Sequence, residues 1–317
     1  MKKVLITQMI PKEGIDLLKE HFEVILPVGE EKFDRESIER ESKKVDAILT
    51  QLSDTIDETF IKSHTNIKIY SNYAVGYNNY DTSYGKKNGV IMTNTPDVLS
   101  DTTAELAISL LFATSRRLFE ARSVIDNSEW KGFRPTFLLG QDISNKKIGI
   151  IGAGRIGQAF MQKLIGFNPE FYYFNRKRNL DIEEKFGAKY LSFDELIEQA
   201  DIISIHVPLT EDTKYLFNEE SFKKMKKNAI LINTSRGPVI DEMAMIQALK
   251  NKEFWGAGLD VFENEPYISK ELLELKNVVL TPHIGSATLE TRRKMSILAA
   301  KNIIEVLYER KPITPIY

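Results

Sequence analysis

Residues 146–157 read KKIGIIGAGRIG. A short apolar run, Ile148 to Ile151, leads directly into Gly152, Gly154 and Gly157 at the spacing G-x-G-x-x-G, and an amphipathic run, Gln158 to Leu164, follows. The order is strand, glycine turn, helix. Gly152 permits the tight turn, Gly154 lets the backbone approach a pyrophosphate, and Gly157 lets the helix pack close to the strand. The helix N-terminus offers unpaired N–H groups and the positive end of its dipole to phosphates. A glycine turn alone is a weak signal. Here a β-rich run precedes it and an amphipathic run follows, so the stretch reads as a dinucleotide-binding unit.

Upstream, residues 1–98 alternate strand-like and helix-like runs. Val4–Thr7, Glu23–Leu26, Ala47–Thr50, Ile67–Ser71 and Val90–Thr93 read as strands, and Pro11–His21, Arg35–Lys43, Asp57–Ser63 and Asp81–Asn88 as the helices between them. Such alternation implies a parallel sheet covered on both faces, with ligands beyond the carboxyl ends of its strands. Leu52-Ser53 and Asn72 to Tyr77 lie there, and Gly76 could offer backbone N–H groups to a carboxylate. After Thr95-Pro96 a long helical stretch is expected from about Ser100 to Asn127, with Ser100 or Asp101 as its cap. Residues 128–145, with Trp130, Gly132, Pro135 and Gly140, read as an irregular arm that makes a subunit contact or folds back on its own chain.

Composition limits the rest. The 317 residues suggest about two domains, and a hydrophobic content of 42% supports real cores. A net charge of −2 gives no electrostatic footprint for nucleic acid or anionic membrane. No apolar run approaches the roughly 18 residues that span a bilayer. The N-terminal MKKVLITQMIPKEG reads as a first strand rather than a signal peptide. There are no cysteines, hence no disulfides, thiolate metal sites or cysteine nucleophiles, and the scattered histidines support no metal site. A cytoplasmic enzyme is the plain expectation.

Downstream of the glycine turn, Glu170–Phe174 is the second strand of the unit. An NAD-selective site usually places an acid at its end for the ribose hydroxyls. Here Asn175-Arg176-Lys177-Arg178 stand instead. Three cations suit a 2′-phosphate, so NADP(H) is favoured and NAD(H) stays possible; a solvated basic turn is the alternative. Further strands end in polar clusters: His206-Val207-Pro208, Thr234-Ser235-Arg236-Gly237, Asp260 to Pro266, and Thr281-Pro-His283-Ile-Gly285. All can face the crevice of the glycine loop. The last helix, Leu289 to Tyr308, is expected to pack back on the first domain.

Hydride transfer to a carbonyl needs a cation to orient and polarise the substrate and a charged proton donor. Arg236 is the candidate cation and His283 the candidate acid, with Glu265 as the carboxylate that keeps it protonated. His206 reads as a lining of the cofactor cleft, and His21 and His64 as structural.

These segments resemble the D-isomer-specific 2-hydroxyacid dehydrogenase family. The resemblance is carried by Asn72 to Gly76, DTTAELA at 101–107, Lys147 to Gly157, His206 to Thr210, NTSRGP at 233–238, Gly258 to Glu263, Glu265-Pro266 and TPHIGSA at 281–287. It implies an α/β fold of two doubly wound parallel-sheet domains, a Rossmann coenzyme domain (99–287) inserted in a flavodoxin-like substrate domain (1–98 and 288–317). It implies a catalytic set of Arg236, Glu265 and His283, and a substrate carboxylate on the N–H groups of Val75 and Gly76. Cofactor contacts would come from Thr103, Arg155, Ile156, Thr234 and Asp260, beside Gly152, Gly154, Gly157, Asn175, Arg176, Lys177, Val207, Pro208, Ser235 and Gly285. Closure about a hinge near Pro96 and Ala287 is expected.

Within the family, residues 128–139 and the Asn175-Arg176 pair resemble glyoxylate and hydroxypyruvate reductases. In those, an aromatic of the partner subunit borders the pocket, and Trp130 is the nearest match; a homodimer is implied. Asn175 stands where D-lactate dehydrogenases carry Asp. The expected activity is reduction of a small 2-oxo acid to the 2-hydroxy acid. The alternatives are a dinucleotide-sensing corepressor of the same fold, a 2-hydroxyacid dehydrogenase for a larger substrate and, with less support, phosphite or formate oxidation.

Overall fold

Two parallel sheets organise the chain, and a computed structural model describes residues 1–29 and 32–317. The chain divides into two units, Met1–Leu99 with Ser286–Tyr317, and Ser100–Gly285.

In the first unit the strands are β1 (Lys3–Ile6), β2 (Glu23–Ile25), β3 (Ala47–Thr50), β4 (Ile69–Asn72) and β5 (Ile91–Thr93). They pair in the order β2-β1-β3-β4-β5, every pair parallel. This is the flavodoxin-like order. Its helices are α1 (Lys12–Lys19), α2 (Arg35–Ser42), α3 (Glu58–Ser63), α4 (Thr82–Lys87) and the C-terminal helix Leu289–Leu307. The last three α-numbered helices start on aspartate caps: Asp34, Asp57 and Asp81 accept from the N–H groups of Ser37, Phe60 and Tyr84 at 2.8–2.9 Å. The C-terminal helix buries Ala299, Ala300, Ile303 and Leu307 among Val4, Ile6, Ile15 and Leu18. The chain end thereby completes the core that its beginning starts.

The second unit holds α5 (Ser100–Ser115), α6 (Leu118–Asp126), β6 (Lys147–Ile151), α7 (Arg155–Leu164), β7 (Glu170–Phe174), α8 (Leu180–Phe186), β8 (Lys189–Tyr190), α9 (Phe193–Gln199), β9 (Ile202–Ile205), α10 (Glu219–Lys224), β10 (Ile230–Asn233), α11 (Glu242–Lys250), β11 (Gly256–Leu259), α12 (Lys270–Leu273) and β12 (Val278–Leu280). The order β12-β11-β10-β9-β6-β7-β8 is parallel throughout. Read from β6, this is the Rossmann order with one strand added. The strands are buried on both faces, as their near-continuous Ile, Leu and Val content requires.

The helical stretch expected from Ser100 to Asn127 is not continuous but broken into α5 and α6. Arg117 takes a left-handed φ of 54° and ends α5. The Ser115 carbonyl, which helix continuation would use, accepts the N–H of Gln141 at 2.8 Å, and Arg117 instead forks onto Glu120 at 2.7 and 2.9 Å. The break is set by a segment some two dozen residues downstream, so helix periodicity gives no sign of it. The two-residue β8 is likewise too short to show a pattern.

Candidate active site

In a parallel sheet all carboxyl ends lie on one edge. In the second unit that edge carries the loops after β6, β7, β9, β10, β11 and β12, and with them nearly every sequence-level candidate.

The glycine loop sits at the switch point between β6 and β9. Gly152 has φ +94°, and a Cβ there would come within 2.8 Å of the Val207 backbone nitrogen. Only glycine lets the β6 turn lie this close to the β9 turn. Gly154 forms the N-terminal boundary of α7 with no side-chain cap, and a Cβ on it would have no neighbour within 4 Å. An uncapped helix start facing open space is what a pyrophosphate requires. Thr234 Oγ1, at the end of β10, is buried without a hydrogen-bond partner among the described residues. These features fit a dinucleotide. Thr103, Asp260 and Gly285 gather at one place: a Cβ on Gly285 would lie 3.3 Å from Asp260 Oδ2 and 3.7 Å from Thr103 Oγ1.

After β7, Asn175 Oδ1 accepts the Ala153 N–H at 2.8 Å. The side chain braces the glycine loop, a role its position in the sequence does not reveal. The basic turn also divides. Arg178 is held by both oxygens of Glu183 at 2.7 Å. Arg176 and Lys177 are exposed and make no ion pair among the described residues. Glu183 also accepts from Tyr173, and these bonds hold its pKa down at about 2.

His206 donates or accepts at Ser204 Oγ, 2.9 Å away, and its ring lies 5.5 Å from that of Phe160. Burial drives its pKa down to about 3. It is therefore a neutral imidazole and an unsuitable proton donor. Val207 is half-buried beside Gly152, and Pro208 is exposed.

Arg236, Glu265 and His283 occupy the loops after β10, β11 and β12. Asn233, wholly buried, shapes the first: its Oδ1 accepts the N–H and hydroxyl of Ser235 at 2.9 and 2.8 Å, and its amide donates to the Arg236 carbonyl at 3.0 Å. Ser235 is thus turned inward onto Asn233. Arg236 Nη1 donates to the Ser235 carbonyl at 2.6 Å. Burial lowers the guanidinium pKa, and the Glu265 charge opposes that; a guanidinium stays protonated at neutral pH all the same.

His283 Nδ1 and Glu265 Oε2 are 2.7 Å apart. The other oxygen, Oε1, accepts the N–H of Phe262 at 3.1 Å. Burial pushes the Glu265 carboxyl up, but its bond to His283, the charges of His283 and Arg236 and the Phe262 N–H outweigh this, and its pKa lies below the usual carboxylate value. His283 has φ +51°, in the left-handed region that non-glycine residues seldom adopt. Asp260 holds it there. The Asp260 carbonyl accepts the His283 N–H at 3.0 Å, and Oδ1 accepts from Thr281 Oγ1 and Ile284 N–H at 2.6 and 2.8 Å. The imidazole is fixed by its backbone on one side and by a carboxylate on the other. Such a pair can hold and deliver a proton.

Sequence reasoning missed the Phe262 N–H, Asn233 and Gly237. A Cβ on Gly237 would fall 1.9 Å from the Phe262 carbonyl oxygen, so the Arg236 and Glu265 loops touch backbone to backbone. Asn233 had a signal: an amide at the end of an apolar strand, before S-R-G. Among the described residues no group of three or more His, Asp or Glu is arranged to hold a metal, and no helix is long and apolar enough to cross a membrane.

In the first unit, Val75 and Gly76 lie in the turn after β4. Tyr73, in the same turn, donates its hydroxyl to the Arg292 carbonyl at 2.7 Å and is raised in pKa by burial.

Residues 108–285 match the model of the D-isomer specific 2-hydroxyacid dehydrogenase NAD binding domain. The chain belongs to the D-isomer specific 2-hydroxyacid dehydrogenase family. Within that family it is similar to the glyoxylate reductase of Thermococcus kodakarensis, 46% identical over 95% of this chain and 92% of that one. It is also similar to the glyoxylate reductase of Pyrococcus furiosus, 44% identical over 99% and 94%. Among solved structures of family members, the NADPH-dependent glyoxylate/hydroxypyruvate reductase of Sinorhizobium meliloti, in complex with NADP and malonate, superposes with a TM-score of 0.89 at 31% identity, over 99% of this chain and 96% of that one.

Proposed function

We propose that the protein is an NAD(P)H-dependent reductase of small 2-oxo acids, with glyoxylate or hydroxypyruvate as substrate. The observation that carries this is the Glu265–His283 pair at 2.7 Å, with half-buried Arg236 on the neighbouring strand end and an uncapped glycine turn on the same sheet edge. The relatives named above are reductases of these acids. The bound nicotinamide supplies the hydride. Arg236 grips and polarises the 2-oxo group by its planar fork. With Nδ1 engaged by Glu265, Nε2 of His283 is left to give its proton to the developing alkoxide. The N–H groups of Val75 and Gly76 hold the substrate carboxylate. A dinucleotide-sensing corepressor would share the fold and the triad, and no observation favours it over the reductase; it predicts dinucleotide binding without turnover.

Arg176 and Lys177 favour NADP(H), because both stand exposed and without ion pairs among the described residues at the end of β7, where the ribose hydroxyls lie in this fold. A homodimer is the second part of the reading. No residue of α6 is buried, and Phe119, Trp130, Phe133 and Leu139 are exposed, Phe133 at 91%. Residues 1–99 with 286–317 act in this reading as the substrate domain and 100–285 as the coenzyme domain.

The test is NADPH oxidation with glyoxylate by the protein and by His283→Ala. Turnover that falls at least a hundredfold in the variant, with NADPH binding kept, is expected. Retained turnover in the variant overturns the proton-donor role.

A further inference from the structure

The turn after β4 is held by three inward carbonyl bonds in succession. The Ala74 carbonyl accepts the Thr95 backbone N–H at 2.8 Å. The Val75 carbonyl accepts Asn94 Nδ2 at 2.7 Å. The Gly76 carbonyl accepts Asn72 Nδ2 at 2.8 Å. Peptide units here are trans, and in a planar trans peptide the C=O and N–H point in opposite directions. Three carbonyls drawn inward therefore turn three N–H groups outward, those of Val75, Gly76 and Tyr77. None of the three has an acceptor among the described residues. Successive outward N–H groups form a concavity suited to an anion.

The two asparagines are themselves fixed. Asn72 is wholly buried. Its amide also donates to Asn79 Oδ1 at 3.2 Å, and Asn79 donates to the carbonyls of Gln51 and Asp54 at 3.1 and 2.9 Å. Asn94 is nearly buried, and its carbonyl accepts from Thr314 Oγ1 at 2.6 Å. No apolar side chain could take either place, because each amide satisfies a carbonyl that would otherwise face inward unpaired.

We propose that Asn72 and Asn94 are positioning residues that hold the Val75–Tyr77 turn as a three-donor nest for the substrate carboxylate, with the Tyr77 N–H as its third donor. This rests on the 2-oxo acid reading and adds to it the residues that aim the donors. The asparagines touch no substrate; they act through the peptide units they anchor.

The experiment compares glyoxylate with its neutral methyl ester, using the full-length protein and NADPH. Asn94→Ala frees the Val75 carbonyl and with it the aim of the Gly76 N–H. It is expected to lower kcat/KM for glyoxylate about 10- to 100-fold, the worth of one oriented bond to a charged group, mostly through KM. The ester should change less than twofold, and NADPH binding should not change. Asn72→Ala should behave alike. Asn94→Ser, a smaller excision, is read in the same way if the alanine variant does not fold. Equal losses on acid and ester, or no loss on the acid, overturn the proposal. Failure of the unaltered protein to reduce glyoxylate overturns the 2-oxo acid reading itself, whereas turnover with an unmoved acid-to-ester ratio in the variants overturns the nest alone.

Discussion

Gly237→Ala isolates the contact between the Arg236 and Glu265 loops. An added Cβ would lie 1.9 Å from the Phe262 carbonyl oxygen, 2.0 Å from its carbon and 2.5 Å from the Glu263 nitrogen. All three are backbone atoms, so no side chain can rotate away. Ordinary contact starts near 3.4 Å, and the loops must separate by roughly 1.5 Å. Overpacking of this kind costs about 1–3 kcal/mol. The functional cost is larger. The displaced segment carries the Phe262 N–H that anchors Glu265 Oε1, and Arg236 precedes the substituted residue. A misplacement of about 1 Å at reacting groups costs on the order of a hundredfold in rate. The assay is steady-state NADPH oxidation with glyoxylate, beside thermal unfolding and NADPH titration. A fall in kcat/KM of about a hundredfold is expected, with a lower Tm and NADPH affinity within threefold, because the glycine loop after β6 is untouched. Near-normal kcat/KM and Tm would contradict this, since the clash is with backbone on both sides.

Glu265→Gln removes the charge beside His283 and should lower kcat by about 10²- to 10⁴-fold while leaving NADPH binding intact; stopped-flow turnover and cofactor titration check this. Arg176→Ala with Lys177→Ala should raise KM for NADPH about tenfold or more and leave KM for NADH nearly unchanged, whereas Arg178→Ala, removing a side chain already held by Glu183, should move neither. Glu183 contributes to stability in a defined window. Its folded pKa of about 2 lies below the ordinary 4.5, so the unfolded chain takes up its proton first. The contribution is complete above about pH 4.5 and disappears as pH falls towards 2. Glu183→Gln should flatten the acid limb of a Tm-against-pH curve there and leave the neutral region nearly flat.

How far the sequence was legible depended on whether a feature was local. The β6 turn could be read because its glycines answer to backbone geometry within one strand–turn–helix unit. Both sheets could be read because buried parallel strands are continuous apolar runs separated by helices of ordinary length. The helix break at Arg117 could not, because its cause is the Gln141 N–H on the Ser115 carbonyl, a contact from a distant segment. Arg176, Lys177 and Arg178 look alike as letters. Only Glu183, one helical turn into α8, separates the third from the others. Asn175 read as a residue facing the ribose, yet its side chain turns to the Ala153 N–H. Asn72, Asn94 and Asn233 carry no chemistry of their own. Their work is to bond a carbonyl or hydroxyl within a buried turn, which becomes visible only when the turn is seen.

If Arg236, Glu265 and His283 serve reduction of a 2-oxo acid rather than dinucleotide sensing, the protein incubated with NADPH and glyoxylate produces glycolate and NADP, which are quantified together. One glycolate formed for each NADPH consumed, over many turnovers, is the predicted result. Tight NADPH binding with no glycolate, from glyoxylate, and no glycerate, from hydroxypyruvate, would contradict it.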